Sequence, residues 1–277
     1  MKCTICGNPM DPALGDVRSH PNCLFAELDD ESDPAAQQLK YEIIEIIKWA
    51  DKQNPRSKQA AIGPSEIGTP CDRRLGYRIA EIPAINTDID PWAAVIGTAM
   101  HSWLDDAVKM WCRGHQDCGW MTETPLQLDA FTRGRSDLYN SHTQTVIDHK
   151  GAGPGVMKKV RRDGPPEGYV IQVQLYGLGY EMIGHPVKKV ALVFYPRAGW
   201  LKDTYVWVAD YNRDIANMAM QRMYDISTRL AELDIMNNPH RWEQVEHYTS
   251  NDCGFCPWYD PGRDPEKGAT ETGCPGK

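Results

Sequence analysis

The chain has 277 residues, of which 41% are hydrophobic and 25% are charged, and its formal net charge is −8. This composition is ordinary for a folded globular protein with one substantial core, and it excludes a largely disordered chain. The excess of acidic residues disfavours a protein that coats nucleic acid nonspecifically, because phosphate contacts need Lys and Arg.

The first residues, MKCTIC, lack the apolar stretch of a secretion signal. No later run approaches the ~20 apolar residues that cross a bilayer. We therefore expect a cytoplasmic protein without membrane contacts.

Hydrophobic periodicity after the Cys-, Pro- and Gly-rich residues 1–30 predicts helices and strands in an α/β order. A helix is predicted from Pro34 to Lys52, with Asp33 as its cap. The predicted elements that follow are a loop over 54–64, a short helix from Ser65, a helix over 91–113, strands over 120–128, 132–139 and 143–150, a helix over 168–183, strands over 187–195 and 202–208, a helix over 214–233, and a tail over 248–277. The polar turn Asn140-Ser141-His142 favours a hairpin between the second and third strands.

Two short motifs in these strands carry candidate catalytic residues: Gly134-Arg135-Ser136-Asp137 and Asp148-His149-Lys150. Residues two apart on a strand point to the same face, so Asp148 and Lys150 project together. Antiparallel pairing across the short turn brings Asp137 within a residue or two of the position opposite Asp148. Two carboxylates beside an ammonium suit phosphodiester hydrolysis with Mg²⁺ or Mn²⁺, which prefer oxygen ligands. The alternative for a D-x-K triplet alone is a surface strand of alternating charge.

Other residues near these motifs permit weaker interpretations. Glu123 is a further candidate acidic residue, and Gly134 would permit close approach of backbone or substrate. The glycine-rich segment 151–155 lacks the Gly-Lys-Ser/Thr ending of a phosphate-binding loop and is interpreted as a flexible rim. The basic stretch 158–162 is either a solvated helix face or a DNA contact.

Four motifs in order resemble those of RecB-like nucleases of the PD-(D/E)xK superfamily. They are Gly97-Thr98-Ala99-Met100-His101, Gly134-x-x-Asp137, Asp148-x-Lys150 and Gln172-x-x-x-Tyr176, and the similarity covers residues 65–180. The resemblance is closest to the CRISPR-associated RecB-like exonucleases with an iron–sulfur cluster, many of whose relatives are carried by phages. It implies a restriction-endonuclease-like core with a central mixed sheet flanked by helices, and the host cytoplasm as the location of a phage-encoded member.

The resemblance also implies roles for individual residues. His101, Asp137 and Asp148 would bind the metal with the backbone carbonyl of His149, and Lys150 would be the catalytic lysine. Gln172 and Tyr176, one helical turn apart, would line the site or hold the DNA backbone.

Cysteine spacing indicates metal binding rather than a disulfide framework, because the cytosol keeps thiols reduced. In the resembling family an upstream cysteine joins three near the C-terminus to hold a [4Fe–4S] cluster, and the matching residues are Cys71, Cys253, Cys256 and Cys274. Such a cluster would clamp the tail onto the core. The gap before Cys274 is longer than the family's usual spacing, and zinc held by the same thiolates is the alternative.

A second cysteine group lies near the start of the chain. Cys3, Cys6, His20 and Cys23 have the spacing of a structural zinc site, against an alternative of incidental cysteines. The expected organisation is a zinc module over 1–30, a nuclease core over 31–245 and a cluster-binding tail over 246–277. Cys112 and Cys118 are expected to be small buried residues or free thiols.

The tryptophans offer one more signal, since exposed indoles stack on unpaired bases. We expect most of them to be core residues instead, because the chain has only four phenylalanines. The tryptophans considered are Trp92, Trp103, Trp120, Trp200, Trp207, Trp242 and Trp258.

The sequence thus predicts a metal-dependent DNA nuclease, an exonuclease on single strands or DNA ends, acting in recombination, repair or replication. One alternative is a non-catalytic iron–sulfur and zinc subunit that binds DNA and recruits recombination or replication proteins. A more distant alternative is a redox-sensing iron–sulfur regulator. Cleavage that depends on added Mg²⁺ or Mn²⁺ distinguishes the first from both others.

Overall fold

The computed structural model describes residues 2, 9, 34–53, 61–87, 89–249, 251–262 and 273–276. The chain divides into two compact units, residues 1–58 and 59–277. In the first, helix α1 spans Pro34–Gln53, as the sequence predicts. The candidate zinc ligands Cys3, Cys6, His20 and Cys23 lie outside the described residues, so that site and the boundaries at 30 and 245 stay predictions. No helix among the described residues has the length and apolar character to cross a membrane.

The second unit contains a five-stranded sheet with helices packed against it. Its elements are α2 (Pro64–Ile67), α3 (Asp72–Ile79), α4 (Trp92–Gly114), β1 (Trp120–Gln127), β2 (Arg133–Asn140), β3 (Thr145–Ala152), α5 (Pro154–Asp163), α6 (Glu167–Met182), β4 (Lys189–Pro196), β5 (Tyr205–Asp210) and α7 (Arg213–Glu232). Short 3₁₀ helices lie at Leu201–Asp203, Pro239–Gln244 and Asn251–Phe255.

The sheet is mixed, as the family resemblance implies. Its strand order follows the chain, β1-β2-β3-β4-β5, and all neighbouring pairs are antiparallel except β3 and β4. The parallel connection runs through α5 and α6, which fits the need of parallel strands for a long crossover. Because β3 and β4 run in the same direction, their carboxyl ends lie at the same edge of the sheet.

Helix α6 lies at the centre of the unit. It contacts β1, β3 and β4 on one side and α2 and α7 on the other. Its residues from Gln172 to Tyr180 are all buried, which explains why apolar residues surround the helix instead of forming one stripe. The polar side chains among them must find partners inside the protein.

Two close approaches depend on glycine. A Cβ atom at Gly134 would lie 2.7 Å from Cδ of Pro64 and 3.3 Å from Cε1 of Tyr176. The neighbours that require glycine there are therefore protein side chains rather than substrate. Between α2 and α6, a Cβ at Gly68 would lie 2.4 Å from the carbonyl oxygen of Gly168.

The described residues of the tail, 246–249, 251–262 and 273–276, include side chains that pack into the core of the second unit. Tyr77 of α3 stacks between Trp242 and Trp258, with ring centroids 4.2 Å and 5.5 Å away, and its hydroxyl donates to the carbonyl of Gly273. The indole of Trp258 donates to the carbonyl of Ile82 at 2.9 Å. Buried aromatic contacts therefore hold the described part of the tail against α3.

Several local expectations are corrected. The short helix expected from Ser65 is two helices, α2 and α3, because Gly68-Thr69-Pro70 interrupts the helical backbone. The segment 151–155 is not a flexible rim: β3 continues to Ala152, and Pro154 occupies the first turn of α5. The basic side chains of the stretch 158–162 lie on the exposed face of α5, which agrees with one of its two interpretations, while Met157 and Val160 face the core.

The expectation for Cys112 and Cys118 is also wrong, because the two residues form a disulfide. Cys112 lies in the last turn of α4 and Cys118 just before β1, and the chain reversal between them brings their Cα atoms to 5.2 Å. That separation is within the range that a disulfide spans.

Most of the tryptophans are not core residues. Among those considered from the sequence only Trp242 and Trp258 are buried, whereas Trp92, Trp103 and Trp200 are exposed. The small number of phenylalanines therefore does not mean that tryptophans replace them in the core. Leucine, isoleucine, valine and tyrosine side chains fill most of it instead.

Candidate active site

The register of β2 and β3 brings the two predicted carboxylates together. Leu138 pairs with Ile147 and Tyr139 with Val146, so the next position in the same register places Asp137 opposite Asp148. The ladder ends at that point, and Asp137 Oδ2 instead accepts a hydrogen bond from the backbone N–H of His149 at 2.7 Å. The site thus lies where the two strands separate.

A candidate metal centre surrounds Asp137. Its Oδ1 lies 3.1 Å from Nδ1 of His101 in α4. On its other side, the pairs flanking Glu123 in β1 place that residue across from Asp137 in the same register. His101, Glu123 and Asp137 each offer one ligand atom, and these atoms lie within 4.8 Å of one another. Glu123 has a φ of 46°, a strained backbone of the kind that clusters at functional sites.

Asp148 and Lys150 form an ion pair within hydrogen-bonding reach of α6. Lys150 Nζ lies 2.7 Å from Asp148 Oδ2 and donates to Gln172 Oε1 at 2.9 Å. Gln172 Nε2 donates to Asp148 Oδ1 at 3.1 Å, so the amide contacts both members of the pair. Both oxygens of Asp148 therefore contact protein groups, and the carboxylate is only 1% exposed.

Three tyrosines complete the surroundings. Tyr176 lies one turn beyond Gln172, with its hydroxyl 3.4 Å from the amide nitrogen. Lys150 Nζ lies 4.5 Å from the ring centre of Tyr169, a cation–π contact. On β4, the hydroxyl of Tyr195 lies 3.3 Å from Nδ1 of His149.

Burial and charge set the protonation states of the carboxylates. Burial raises the pKa of Asp148 to about 6; the charge of Lys150 opposes this rise, and the charge of Asp137 adds to it. Burial also opposes ionisation of Asp137, but the hydrogen bond from His101 and its charge outweigh it, so the pKa of Asp137 lies below its ordinary value. Two neighbouring acids with opposite pKa shifts are typical of functional sites.

The basic groups respond to the same neighbours. The hydrogen bond with Asp137 raises the pKa of His101 despite its burial. Burial lowers the pKa of Lys150, but the charge of Asp148 and its hydrogen bond outweigh it and hold that pKa above its ordinary value. Burial lowers the pKa of His149 to about 4, so its imidazole is neutral at pH 7.

The sequence-predicted residues occupy distinct places. His101 and Asp137 lie in the candidate metal centre, whereas Asp148, Lys150 and Gln172 form the adjoining hydrogen-bonded group. Glu123, a weaker acidic candidate from the sequence, lies in the candidate metal centre, whereas the contacts made by Tyr169 and Tyr195 were not predicted from the sequence. The helical spacing of Tyr169 and Gln172 was an available signal, because residues three apart share a helix face.

The four candidate cluster ligands line one cavity of about 90 Å³. The cavity is bounded by Cys71, Cys253, Cys256 and Cys274, together with Arg73, Arg74 and Tyr77. Cys71 caps α3, where its sulfur accepts from the backbone N–H of Arg74 at 3.4 Å. The backbone of Cys274 is held by hydrogen bonds to Trp258 and Asp260. Four cysteines that are distant in sequence therefore line one cavity.

Buried positive charge lies beside these sulfurs. Arg73 is buried, donates to the carbonyl of Val245, and places NH1 3.4 Å from the sulfur of Cys274. Burial raises the pKa of the Cys256 thiol, and the charges of Cys71 and Cys274 add to that rise. Thiolates there need a compensating cation, which a bound metal would supply.

No protein-family model matches the chain, and no curated protein matches it. Among solved structures, LHK-Exo in complex with dAMP is 13% identical, covers 65% of this chain and 93% of its own, and has a TM-score of 0.46. The alkaline exonuclease LHK-Exo from Laribacter hongkongensis is 12% identical, with coverages of 66% and 94% and a TM-score of 0.43. A phage-related exonuclease from Haemophilus somnus 129PT is 12% identical, with coverages of 50% and 71% and a TM-score of 0.36. Sequence identities of 12–13% with TM-scores below 0.5 assign neither a family nor an activity.

Proposed function

We propose that this chain is a metal-dependent DNA nuclease that hydrolyses phosphodiester bonds as an exonuclease on single strands or DNA ends. The observation that carries the proposal is the convergence of Asp137, Asp148 and Lys150 where β2 and β3 separate, beside His101 and Glu123. Acidic groups beside a charged lysine match the needs of a reaction in which negative charge develops on a phosphate.

The donor set fits a divalent cation. Two carboxylates and one imidazole can each give a ligand atom from positions within 4.8 Å of one another, and oxygen-rich sites of this kind suit Mg²⁺ or Mn²⁺. We propose His101, Glu123 and Asp137 as ligands, with Asp148 and the carbonyl of His149 completing the set when DNA is bound. The ion would lower the pKa of water and neutralise charge on the phosphate.

Lys150 has the role of a cation rather than a base. Because Asp148 holds its pKa above the ordinary value, Lys150 keeps its proton at neutral pH. It can therefore orient the attacking water and stabilise the charge that develops on the phosphate oxygens. Gln172 contacts both members of this pair from α6 and fixes its geometry, and the hydroxyl of Tyr176 lies against the Gln172 amide.

Cleavage of end-labelled single-stranded DNA with Mn²⁺ tests this function. We expect Asp148→Ala to abolish cleavage and Lys150→Met to reduce it by about 10²–10³-fold, the cost of losing one charge-stabilising group. The matched controls are Asp210→Ala and Lys189→Met, which break the exposed 2.6 Å ion pair between β4 and β5. Both controls should cleave at the wild-type rate.

Cleavage by Asp148→Ala at the wild-type rate would contradict the nuclease. DNA binding without cleavage by the wild-type protein would favour a non-catalytic DNA-binding subunit instead. Which labelled end is released first gives the direction of digestion.

We also propose that Cys71, Cys253, Cys256 and Cys274 hold a [4Fe–4S] cluster. Four thiolates satisfy such a cluster. The cavity of about 90 Å³ is several times the roughly 10–15 Å³ that one water needs, so it has room for a group larger than a single zinc ion. Arg73 would balance the negative charge of the cluster and donate a hydrogen bond to the sulfur of Cys274.

A further inference from the structure

The turn between β4 and β5 presents two large apolar side chains to solvent. Trp200 and Leu201 are 73% and 78% exposed. Asp203 holds this turn through two hydrogen bonds with Trp200. Its backbone N–H donates to the Trp200 carbonyl at 2.9 Å, and its carboxylate accepts from the Trp200 N–H at 3.3 Å. Gly199 precedes them with a φ of 137°, which side chains rarely adopt. The two side chains are thus held outward by an ordered backbone.

This turn adjoins the candidate active site. In the parallel pair, Lys150 lies beside Phe194 and Gly151 beside Tyr195. The N–H of Arg197 donates to the carbonyl of Ala152 at 2.9 Å. This hydrogen bond joins the start of the turn to the end of β3. Three residues of chain, at most about 11 Å, separate Arg197 from Trp200.

Helix α5, which carries several basic residues, contacts this turn. Lys158 and Lys159 are exposed because Met157 and Val160 face the core, whereas the guanidinium of Arg162 is paired with the carboxylate of Asp163 at 2.7 Å. Arg161 joins the helix to the turn: its guanidinium lies 5.5 Å from the ring centre of Tyr205, and it donates to the carbonyl of Asp203. A concentration of positive charge beside the site contrasts with the net charge of −8 for the whole chain.

We infer that the turn and the exposed face of α5 form a strand-binding surface that makes the enzyme prefer unpaired DNA, an inference that rests on the proposed nuclease function. The surface comprises Lys158, Lys159, Arg197, Trp200, Leu201 and Lys202. Its basic side chains contact phosphates, and Trp200 stacks on a base. Stacking of this kind needs a base whose face is open, as in a single strand or a frayed end, whereas paired bases in a duplex are already stacked. A protein partner would not account for basic side chains placed next to a phosphodiester-cleaving centre.

The test measures binding of fluorescent oligodeoxythymidylate by anisotropy in EDTA, where no hydrolysis occurs. We expect Trp200→Ala to raise the Kd about 5- to 100-fold, the range for losing one stacked base. The matched control is Trp103→Ala, which removes a tryptophan of similar exposure, 70%, about 200° around α4 from His101. Its Kd should stay within twofold of wild type, and both variants should melt at the wild-type temperature.

Two further readouts separate stacking from charge. Trp200→Ala should leave the slope of log Kd against log salt unchanged, whereas Lys158→Ala with Lys159→Ala should lower its magnitude by about 0.7 per phosphate contact. Blunt duplex DNA should bind Trp200→Ala within twofold of wild type.

Three outcomes would overturn the inference: unchanged single-strand binding by Trp200→Ala, equal losses for single strand and duplex, or no DNA binding by the wild-type protein. Because binding is measured without cleavage, a wild-type protein that binds strands through Trp200 but cuts nothing would overturn only the nuclease proposal.

Discussion

Gln172 is the residue that contacts both members of the buried Lys150–Asp148 pair. Gln172→Leu keeps the size of the side chain but removes the amide, so the ammonium and the carboxylate each lose a hydrogen-bonding partner. We expect kcat on single-stranded DNA to fall about 10- to 100-fold, as for other groups that orient a site. Steady-state kinetics with Mn²⁺ measures this change.

The matched control is Gln174→Leu on the same helix. Gln174 is also buried, but its amide bonds to the backbone of Asp210 and Asn212 instead of the site. That variant should unfold at a lower temperature while its folded fraction keeps the wild-type kcat. Equal kcat losses in the two variants would argue against a positioning role for Gln172.

At the residue scale, period-two spacing was sufficient to predict that Asp148 and Lys150 project together. It could not predict the contact of Glu123, because that depends on the register of β1 against β2, which the sequence does not specify locally. Nor could it predict the Tyr195 contact with His149, since those residues meet across a parallel pair joined by two helices.

Strand β2 passes so close to α2 and α6 that Gly134 has no room for a side chain. We expect Gly134→Ala to lower the free energy of unfolding by about 1–3 kcal/mol, the usual cost of overpacking. Urea unfolding monitored by circular dichroism measures it.

Gly155 in α5 is the control, because a Cβ there meets nothing within 4 Å. Gly155→Ala should stabilise the protein by up to about 1 kcal/mol through helix propensity and reduced freedom of the unfolded chain. A wild-type free energy of unfolding in Gly134→Ala would mean that the strand can shift away from Pro64.

At the element scale, long periodic segments such as α4, α6 and α7 were predictable within a few residues. Helix α5 was missed because its first residues, Pro154 and Gly155, resemble a loop, although proline at that position favours a helix start. Exposed Trp200 was missed because composition cannot distinguish a core indole from one on a turn.

At the scale of the whole molecule, cysteines from both ends of the second unit line one cavity. We expect anaerobically purified protein to contain about four iron atoms per chain, and Cys71→Ser or Cys274→Ser to lose the iron and melt at a lower temperature. Metal analysis and thermal denaturation measure both effects. The double variant Cys112→Ser with Cys118→Ser is the control, because it removes the disulfide outside the cavity and should keep its iron.

Wild-type protein with one zinc ion per chain and no iron would contradict the cluster. At this scale, the four cysteines around the cavity were identified as one group from the family resemblance, because their spacing alone does not group them. Contacts such as Tyr77 with Trp242 and Trp258 connect distant parts of the chain, and no local pattern predicts them.

The arrangement of the cavity has a consequence for biosynthesis. Arg73 and Cys274, which meet at one wall, are separated by 201 positions. At about 5–20 residues per second, a ribosome needs roughly 10–40 s to travel from the first to the second. During this interval every strand of the sheet and the helix bearing Gln172 emerge while the space beside α3 is still open. The strands and helix that carry the candidate active-site residues are therefore synthesised before Cys274 can complete the cavity. A chaperone or metal donor has that time to act.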